Sequence, residues 1–203
     1  AEGAIEDVKI TEHGVEVTCI DGKEPVGICG SGILAVLKEL IRTGLVRKNG
    51  AFVKKENIPE EDYRYPMIRM NGKKREFLIC EAPELVVTQG DIRQVQLAKG
   101  AILSGFLALL NRAGISMEEL DKVMIAGQFG AHLPAESLTG TGILPKEVKD
   151  KIIYVGNSSK TGAYMTLLSE QVKAEMEDLA ERMEYIELAE TDDYEKIFAE
   201  SMR

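Results

Sequence analysis

The stretch "VMIAGQFGAHLP", residues 123–134, decides how the rest of the chain is interpreted. It passes from β-branched and apolar residues, typical of a buried strand, directly into Gly127-Gln128-Phe129-Gly130. Glycines supply the backbone conformations that tight turns need. Backbone without side chains also lets a ligand approach closely, as nucleotide-binding turns require. Taken alone, the stretch favours the first explanation, an ordinary turn.

Two other glycine-containing turns occur at equivalent places. "GICGSG" (27–32) leads into "ILAVLKELIRTG", whose apolar spacing is helical, and "VGNSSKTG" (155–162) opens another helix. Ligands of α/β proteins gather at such strand-to-helix junctions, where helix N-termini direct N–H groups at anions. The three turns together favour a phosphate-bearing ligand, with Gly30 and Ser31 as candidate contacts. Neither the P-loop pattern nor G-x-G-x-x-G fits these turns.

The remaining patterns predict an α/β fold, with a mixed sheet flanked by helices. "AIEDVKI" and "GVEVTCI" alternate around "TEHG" and predict a hairpin, and "NGKK" is the turn of a second hairpin within a β-rich insertion at about 48–82. The longest helix should run from about Asp91 to Arg112 and be buried centrally, since its apolar residues cover much of its circumference. Weaker patterns predict a short helix at "SMEEL", a last strand at "YIEL" and a terminal helix at "DYEKIFAESM".

Composition narrows the classes of partner. The 203 residues carry a formal net charge of −9, which disfavours nucleic acid and anionic membranes. The longest apolar run, at about 101–110, is too short to cross a bilayer. No secretory leader is visible, so the cytoplasm is the expected location. The opening "AEGAIEDVKI" resembles a cut inside a longer protein.

Several reactive side chains have ordinary explanations. Cys19, Cys29 and Cys80 are far apart without a CxxC pair, so packing is favoured over a metal or iron–sulfur site. Cys29 near a helix N-terminus could be a nucleophile, but no basic or histidine neighbour supports this. Lys99 on a mostly apolar helix either extends to water or contacts a nucleotide. His132 has no visible catalytic partner.

The order of several segments resembles one protein family. "GAIEDV", "PVGICGSGILAVLKELIRTGLV", "DIRQVQLAKGAILSGFLALL", "VMIAGQFG", "GILP" and "YVGNSSKTGAYMTLLS" are similar to the C-terminal ATPase region of the reductive activators of corrinoid proteins. That family includes activators of archaeal methylamine methyltransferase systems. The likeness covers nearly the whole chain and is loose in residues 48–82. The family usually has a second glycine where this chain has Gln128.

This family belongs to the actin, sugar-kinase and heat-shock-chaperone ATPase superfamily, so the resemblance implies one RNase H-like lobe over residues 1–203. "IAGQFGAHLP" resembles the superfamily's adenosine motif, which implies that Gly127, Gln128, Phe129 and Gly130 border the sugar and α-phosphate. "QLAKGAI" resembles the helix that flanks adenine, which implies that Gln96 and Lys99 border the base.

The resemblance also implies what lies elsewhere. The phosphate loops that hold Mg²⁺ and the β- and γ-phosphates are expected upstream, as is the iron–sulfur domain that delivers the electron. The chain is therefore expected to be the C-terminal lobe of a longer protein. The longer protein would reduce cob(II)alamin to cob(I)alamin on a corrinoid protein at the expense of ATP. The catalytic residues are expected outside this chain.

Alternatives remain open at this point. The chain could be a lobe of a small-molecule kinase of the same superfamily, which needs a carboxylate base in an acceptor pocket. It could also be a non-catalytic docking module that uses the acidic helix at 170–183, although a solvated helix face explains those charges equally well. A homodimer is a further alternative.

Overall fold

The chain forms an α/β fold in a computed structural model that describes residues 1–127, 130 and 133–202. The strands are β1 (Ala4–Thr11), β2 (Gly14–Cys19), β3 (Gly27–Ile28), β4 (Ile68–Asn71), β5 (Lys74–Cys80), β6 (Leu85–Thr88), β7 (Val123–Ala126) and β8 (Ile152–Gly156). The α-helices are α1 (Gly30–Arg42), α2 (Gln89–Ala113), α3 (Ala135–Gly140), α4 (Ser158–Leu168), α5 (Glu170–Glu181) and α6 (Tyr194–Ser201). The expected α/β class is confirmed.

The strands of the described residues are divided among three sheets, and the expected mixture of strand directions occurs in the first of them. The first sheet has the order β2-β1-β3, with β2 antiparallel and β3 parallel to β1. The second, β4-β5-β6, is antiparallel, and the third consists of the parallel pair β7-β8. Both predicted hairpins are confirmed, the second by the pairing of Asn71 with Lys74.

The larger hydrophobic core joins the first two sheets to α1. Ile5 and Val8 from β1 pack in one cluster with Val36 of α1 and with Phe52 and Phe77. The region at 48–82 therefore contributes to the main core. Its strands are confined to the second half, since 3₁₀ turns at Lys55–Asn57 and Tyr65–Met67 precede β4.

Helix α2 is fully buried along one stripe, and Val95 and Phe106 pack partly buried against the cores, so it is less enclosed than the centrally buried helix that was predicted. Thr88 caps it reciprocally with Asp91, and it ends before Gly114 in the left-handed conformation. Its buried residues recur every four positions: Ile92, Gln96, Gly100, Ser104 and Ala108. Its other faces leave Leu97, Ile102 and Leu109 about half exposed.

Part of this stripe is covered by the C-terminal helix α6. Ser104 Oγ donates to Tyr194 Oη at 3.1 Å, and Gln96 Nε2 donates to the Met202 carbonyl at 3.0 Å. The predicted terminal helix is thus confirmed. The predicted strand at "YIEL" is wrong, since residues 185–187 lie outside regular elements and a 3₁₀ turn begins at Leu188. The segment "SMEEL" forms a turn instead of a helix.

Candidate functional site

A cleft of about 600 Å³ opens between the N-terminus of α1, one face of α2 and the residues after the glycine turn. Its walls are mainly apolar and include Ile33, Val95 and Leu138. Cys29, Asp91 and Gln94 are the polar side chains at its edge among the described residues. An apolar cavity of this size with a few polar groups is typical of a small-molecule or cofactor site.

Cys29 fixes the way the chain enters α1. Its extended backbone makes it the N-cap, and its thiol donates to the Ile5 carbonyl at 3.1 Å while contacting Ser31 Oγ at 3.1 Å. Burial raises the pKa of this thiol, but hydrogen bonds from Ser31 and from the Gly32 backbone outweigh that effect, so the pKa is lowered. Gly30 lines the cleft, whereas Ser31 is buried against Cys29.

The cleft face of α2 follows helical spacing. Asp91, Gln94, Ala98 and Ile102 lie three or four residues apart and therefore share one side of the helix. The Asp91 carboxylate accepts hydrogen bonds from the backbone and the hydroxyl of Thr88, at 2.8 and 2.7 Å. Asp91 thus completes the cap of α2, and Gln94 is the neighbouring amide on the same face.

Gln96 and Lys99 do not line this cleft, although the sequence had placed them beside the same ligand as Gly30. They border a separate, much smaller cavity with Thr141 and Met202. Gln96 is 8% exposed, and its Oε1 has no hydrogen-bond partner among the described residues. Burial lowers the pKa of Lys99, whose Nζ would lie 2.9 Å from a Cβ placed on Gly142. The structure therefore separates the predicted site residues into two groups.

The glycine turn contains two glycines with different physical roles. Gly127 has φ +98°, and a Cβ placed there would meet no atom of the described residues within 4 Å. Gly130 is buried, and a Cβ placed there would lie 2.6 Å from Ile125 Cγ2. Close packing thus explains Gly130, while the positive φ and the free space beside Gly127 suit the approach of a ligand. The predicted contacts Gln128 and Phe129 lie outside the described residues, as does His132.

The turn is fixed to β8 at both of its ends. The Gly127 amide donates to the Gly156 carbonyl at 2.8 Å, and the Tyr154 hydroxyl donates to the Leu133 carbonyl. Burial raises the pKa of Tyr154, and the nearby Glu136 adds to this, so the hydroxyl remains a proton donor at neutral pH. Leu133 lines the cleft. Strand β8 therefore holds the far end of the turn at the edge of the cleft.

Sequence reasoning missed the cleft residues Gln94, Val95 and Ala98. A signal was available, because residues 91, 94, 95, 98 and 102 form one helical stripe distinct from the stripe that contains Gln96. What the sequence did not give is which of the two stripes faces α1. That depends on how α6 packs on α2.

Neither a metal centre nor a membrane span is found in the residues that the structure describes. No group of three or more His, Cys, Asp or Glu side chains among them could hold a metal ion. No helix in the same residues is both long and apolar enough to cross a membrane.

Comparison with known proteins identifies the family of the chain. The model of the C-terminal domain of RACo, the ASKHA domain, matches residues 1–203. The chain belongs to this family. The actin, sugar-kinase and chaperone ATPase fold that the resemblance implied is thereby confirmed.

Individual RACo-like relatives agree with this assignment. The chain is 32% identical over 198 residues to the corrinoid activation enzyme RamQ of Eubacterium limosum, covering 92% of this chain and 32% of RamQ. It is 28% identical over 160 residues to the [Co(II) methylated amine-specific corrinoid protein] reductase of Methanosarcina barkeri, covering 79% of this chain and 25% of that protein.

A solved structure extends the likeness to three dimensions. The reductive activator for corrinoid, iron–sulfur protein matches with a TM-score of 0.85 and 33% identity, over 100% of this chain and 32% of that chain. The chain thus spans about a third of the length of RamQ and of this solved activator.

Proposed function

We propose that this chain is the nucleotide-binding part of an ATP-dependent reductive activator, which returns a corrinoid protein from cob(II)alamin to cob(I)alamin. The names of two relatives, a corrinoid activation enzyme and a Co(II) corrinoid protein reductase, support this direction of chemistry. The corrinoid protein of a methyltransferase system is the proposed partner. The iron–sulfur cluster that supplies the electron belongs to the remainder of the longer protein in this proposal.

The observation that carries the proposal is the cleft beside the glycine turn. Its apolar walls, including Ile33 and Val95, suit the faces of a purine, and Gln94 offers an amide at the edge. The N-terminal end of α1, a helix of 13 residues, opens on the same cleft through Gly30 and favours a negatively charged phosphate. The residues present therefore fit an adenine nucleotide.

The chain's own residues would bind and orient the nucleotide. Mg²⁺ and the terminal phosphates need charged ligands that we assign to residues outside this chain. Reduction of cob(II)alamin is a strongly uphill one-electron step, and the cofactors carry that redox chemistry. ATP would act by favouring one arrangement of the lobes, which changes affinity for the corrinoid protein.

The position of the base follows from the face of α2 that lines the cleft. We place it against Gln94 and Ala98, which replaces the expectation that Gln96 and Lys99 flank it. Gln96 donates to the Met202 carbonyl on the side of α2 that packs against α6. The α6 side of α2 thus serves packing in this proposal, and the opposite side serves binding.

The kinase alternative has less support. A kinase of this superfamily needs a free carboxylate base in its acceptor pocket, and Asp91 is the carboxylate that lines the described part of the cleft. Its Oδ2 already accepts two hydrogen bonds from Thr88, which hold the carboxylate in the cap of α2. The named relatives are corrinoid activators.

The test compares two alanines on α2 in the full-length protein. Ala98 and Ala101 are both exposed on this helix, but Ala98 lines the cleft and Ala101 does not. Ala98→Met should fill the cleft and weaken ATP binding at least about tenfold, on the scale of an overpacking penalty. Ala101→Met should leave the dissociation constant within about twofold. Isothermal titration with a non-hydrolysable ATP analogue measures both, and unchanged affinity in Ala98→Met contradicts the proposed site.

A further inference from the structure

Helix α4 contributes no residue to any described core. None of its 11 residues, all of which the structure describes, is buried. Leu167 is 84% exposed, Leu168 74% and Tyr164 64%. Only Gly162 and Thr166 are partly covered, four residues apart on the side where Gly162 approaches Met176 of α5. The helix thus touches α5 along one narrow stripe and presents large apolar side chains elsewhere.

Helix α4 has a wide apolar face. Lys160 is its one charged residue. At about 100° per residue its apolar side chains, all between Ala163 and Leu168, span about 200° of the circumference, and Gly162 and Thr166 lie in the remaining arc toward α5. An apolar face of this width is typical of a helix that is buried against another surface. Clusters of exposed apolar side chains of this kind mark an interaction surface.

The neighbouring helix α5 is much more highly charged than α4, which distinguishes the two sides of this helix pair. Its 12 residues include Glu170, Glu175, Glu177, Asp178 and Glu181. These carboxylates suit a solvated face, and they are absent from α4. The charged outer side is therefore α5, and the surface that needs a covering lies on α4.

We infer that α4 packs permanently against the part of the longer protein that lies outside these 203 residues. The solved reductive activator keeps the fold of the whole chain at a TM-score of 0.85, and this chain is 32% of its length. The remaining length is sufficient to supply a covering surface. Permanent interfaces resemble a protein core, whereas the contact surfaces of transient partners carry more polar groups. The nearly uncharged α4 matches the permanent class.

This inference is independent of the nucleotide proposal, because it rests on the exposure of α4 and not on the cleft. It names an internal interface, and not a docking site for the corrinoid protein. It also differs from the homodimer alternative, in which a second copy would cover the same side chains. The three occupants give different results in one labelling experiment.

The experiment places single cysteines in the full-length protein. Leu167→Cys reports on α4, and Lys73→Cys in the polar turn between β4 and β5 is the exposed control. Maleimide labelling is followed at each site by peptide mass spectrometry, which separates these sites from Cys29 and Cys80. Although Leu167 is 84% exposed in the described residues, Leu167→Cys should label at least about tenfold more slowly than Lys73→Cys.

The other outcomes contradict the inference. Equal labelling rates would show that α4 faces solvent in the complete protein. Protection that is lost on dilution would identify a second copy as the occupant, and protection that requires added corrinoid protein would identify that partner. Leu168→Cys is the second variant if Leu167→Cys does not fold. ATP affinity measured on the same variants distinguishes loss of this interface from failure of the nucleotide proposal.

Discussion

The backbone amide of Gly127 donates a 2.8 Å hydrogen bond to the carbonyl of Gly156, which joins the glycine turn to the end of β8. Both glycines have positive φ, +98° and +66°. Asn157 follows directly and caps α4 by accepting the Lys160 amide at 3.0 Å. The turn and the start of α4 are therefore linked through adjacent backbone groups.

The first prediction concerns the two glycines of the turn. Gly127→Val should weaken ATP binding by roughly 1–3 kcal/mol, because the side chain would occupy the open space beside the backbone. The φ of +98° adds strain, so some loss of melting temperature is expected as well. Gly130→Ala is the matched variant and should lower the melting temperature without changing the affinity of the folded protein, because its Cβ would meet Ile125. Calorimetry measures the melting temperature of both variants, and titration measures their affinity for ATP. Weakened ATP binding in Gly130→Ala together with normal binding in Gly127→Val would contradict the prediction.

The second prediction assigns a positioning role to Tyr154. Tyr154→Phe removes the hydrogen bond to the Leu133 carbonyl and releases one end of the turn. ATP affinity should fall roughly two- to tenfold, the range that one net hydrogen bond supports. Tyr185→Phe removes an exposed hydrogen bond to Glu187 and should leave ATP affinity unchanged. Equal ATP affinity in the two variants would show that Tyr154 does not position the site.

The third prediction concerns acid stability at the end of α1. Glu39 is 4% exposed and accepts hydrogen bonds from the Ile10 amide at 2.9 Å and from Arg42 Nη2 at 2.7 Å. Burial raises the pKa of Glu39, but these hydrogen bonds outweigh it and lower the pKa below 4.5. Because the pKa of Glu39 is lower in the folded protein than in the unfolded chain, its ionised carboxylate stabilises the fold above about pH 4.5. That stability is lost as the pH falls through the pKa of the folded protein.

Two variants test this contribution. Glu39→Gln should lower the unfolding free energy at neutral pH by roughly 1–3 kcal/mol and show a weaker loss of stability in acid. Glu16→Gln, at an exposed position of β2, is the control and should match the parent. Thermal unfolding followed across this pH range measures the difference. A variant with the same acid profile as the parent would show that Glu39 contributes nothing to it.

The fourth prediction concerns turnover. Residues 1–203 produced alone should hydrolyse ATP negligibly, because charge stabilisation at the β- and γ-phosphates requires groups that we assign elsewhere. Circular dichroism would first establish that the piece is folded, and phosphate release would be compared with the full-length protein. Turnover equal to the full-length rate would place the catalytic groups within this chain.

Local patterns predicted local structure well. The alternation in β1 and β2 depends on neighbouring residues, and the hairpin that it predicts is observed. The division into three sheets depends on pairing between distant segments, which periodicity does not encode. In the same way, "YIEL" has the composition of a strand but no strand partner in the described structure.

Of the residues predicted to bind the ligand, Gly30 lines the cleft, and it belongs to a turn with a distinctive composition. Gln96 and Lys99 lie on a different face of α2 from the cleft, so they differ from the cleft residues in helix phase. Similarity of a sequence motif locates a residue along a helix, but it does not determine which face of the helix carries the binding residues. Gln94 and Gln96, only two positions apart, point about 200° apart around the helix axis. The packing of α6 on α2 decides which phase faces the cleft, and α6 lies about a hundred residues away in sequence.

The distance between α2 and its covering helix has a consequence for synthesis on the ribosome. Gln96 and Met202, which are hydrogen-bonded, are separated by 106 positions. At translation rates of about 5–20 residues per second, the stripe through Gly100 and Ser104 waits roughly 5–20 seconds before α6 emerges. Four of its five buried residues are small or polar, so this side of α2 exposes little apolar surface during that interval.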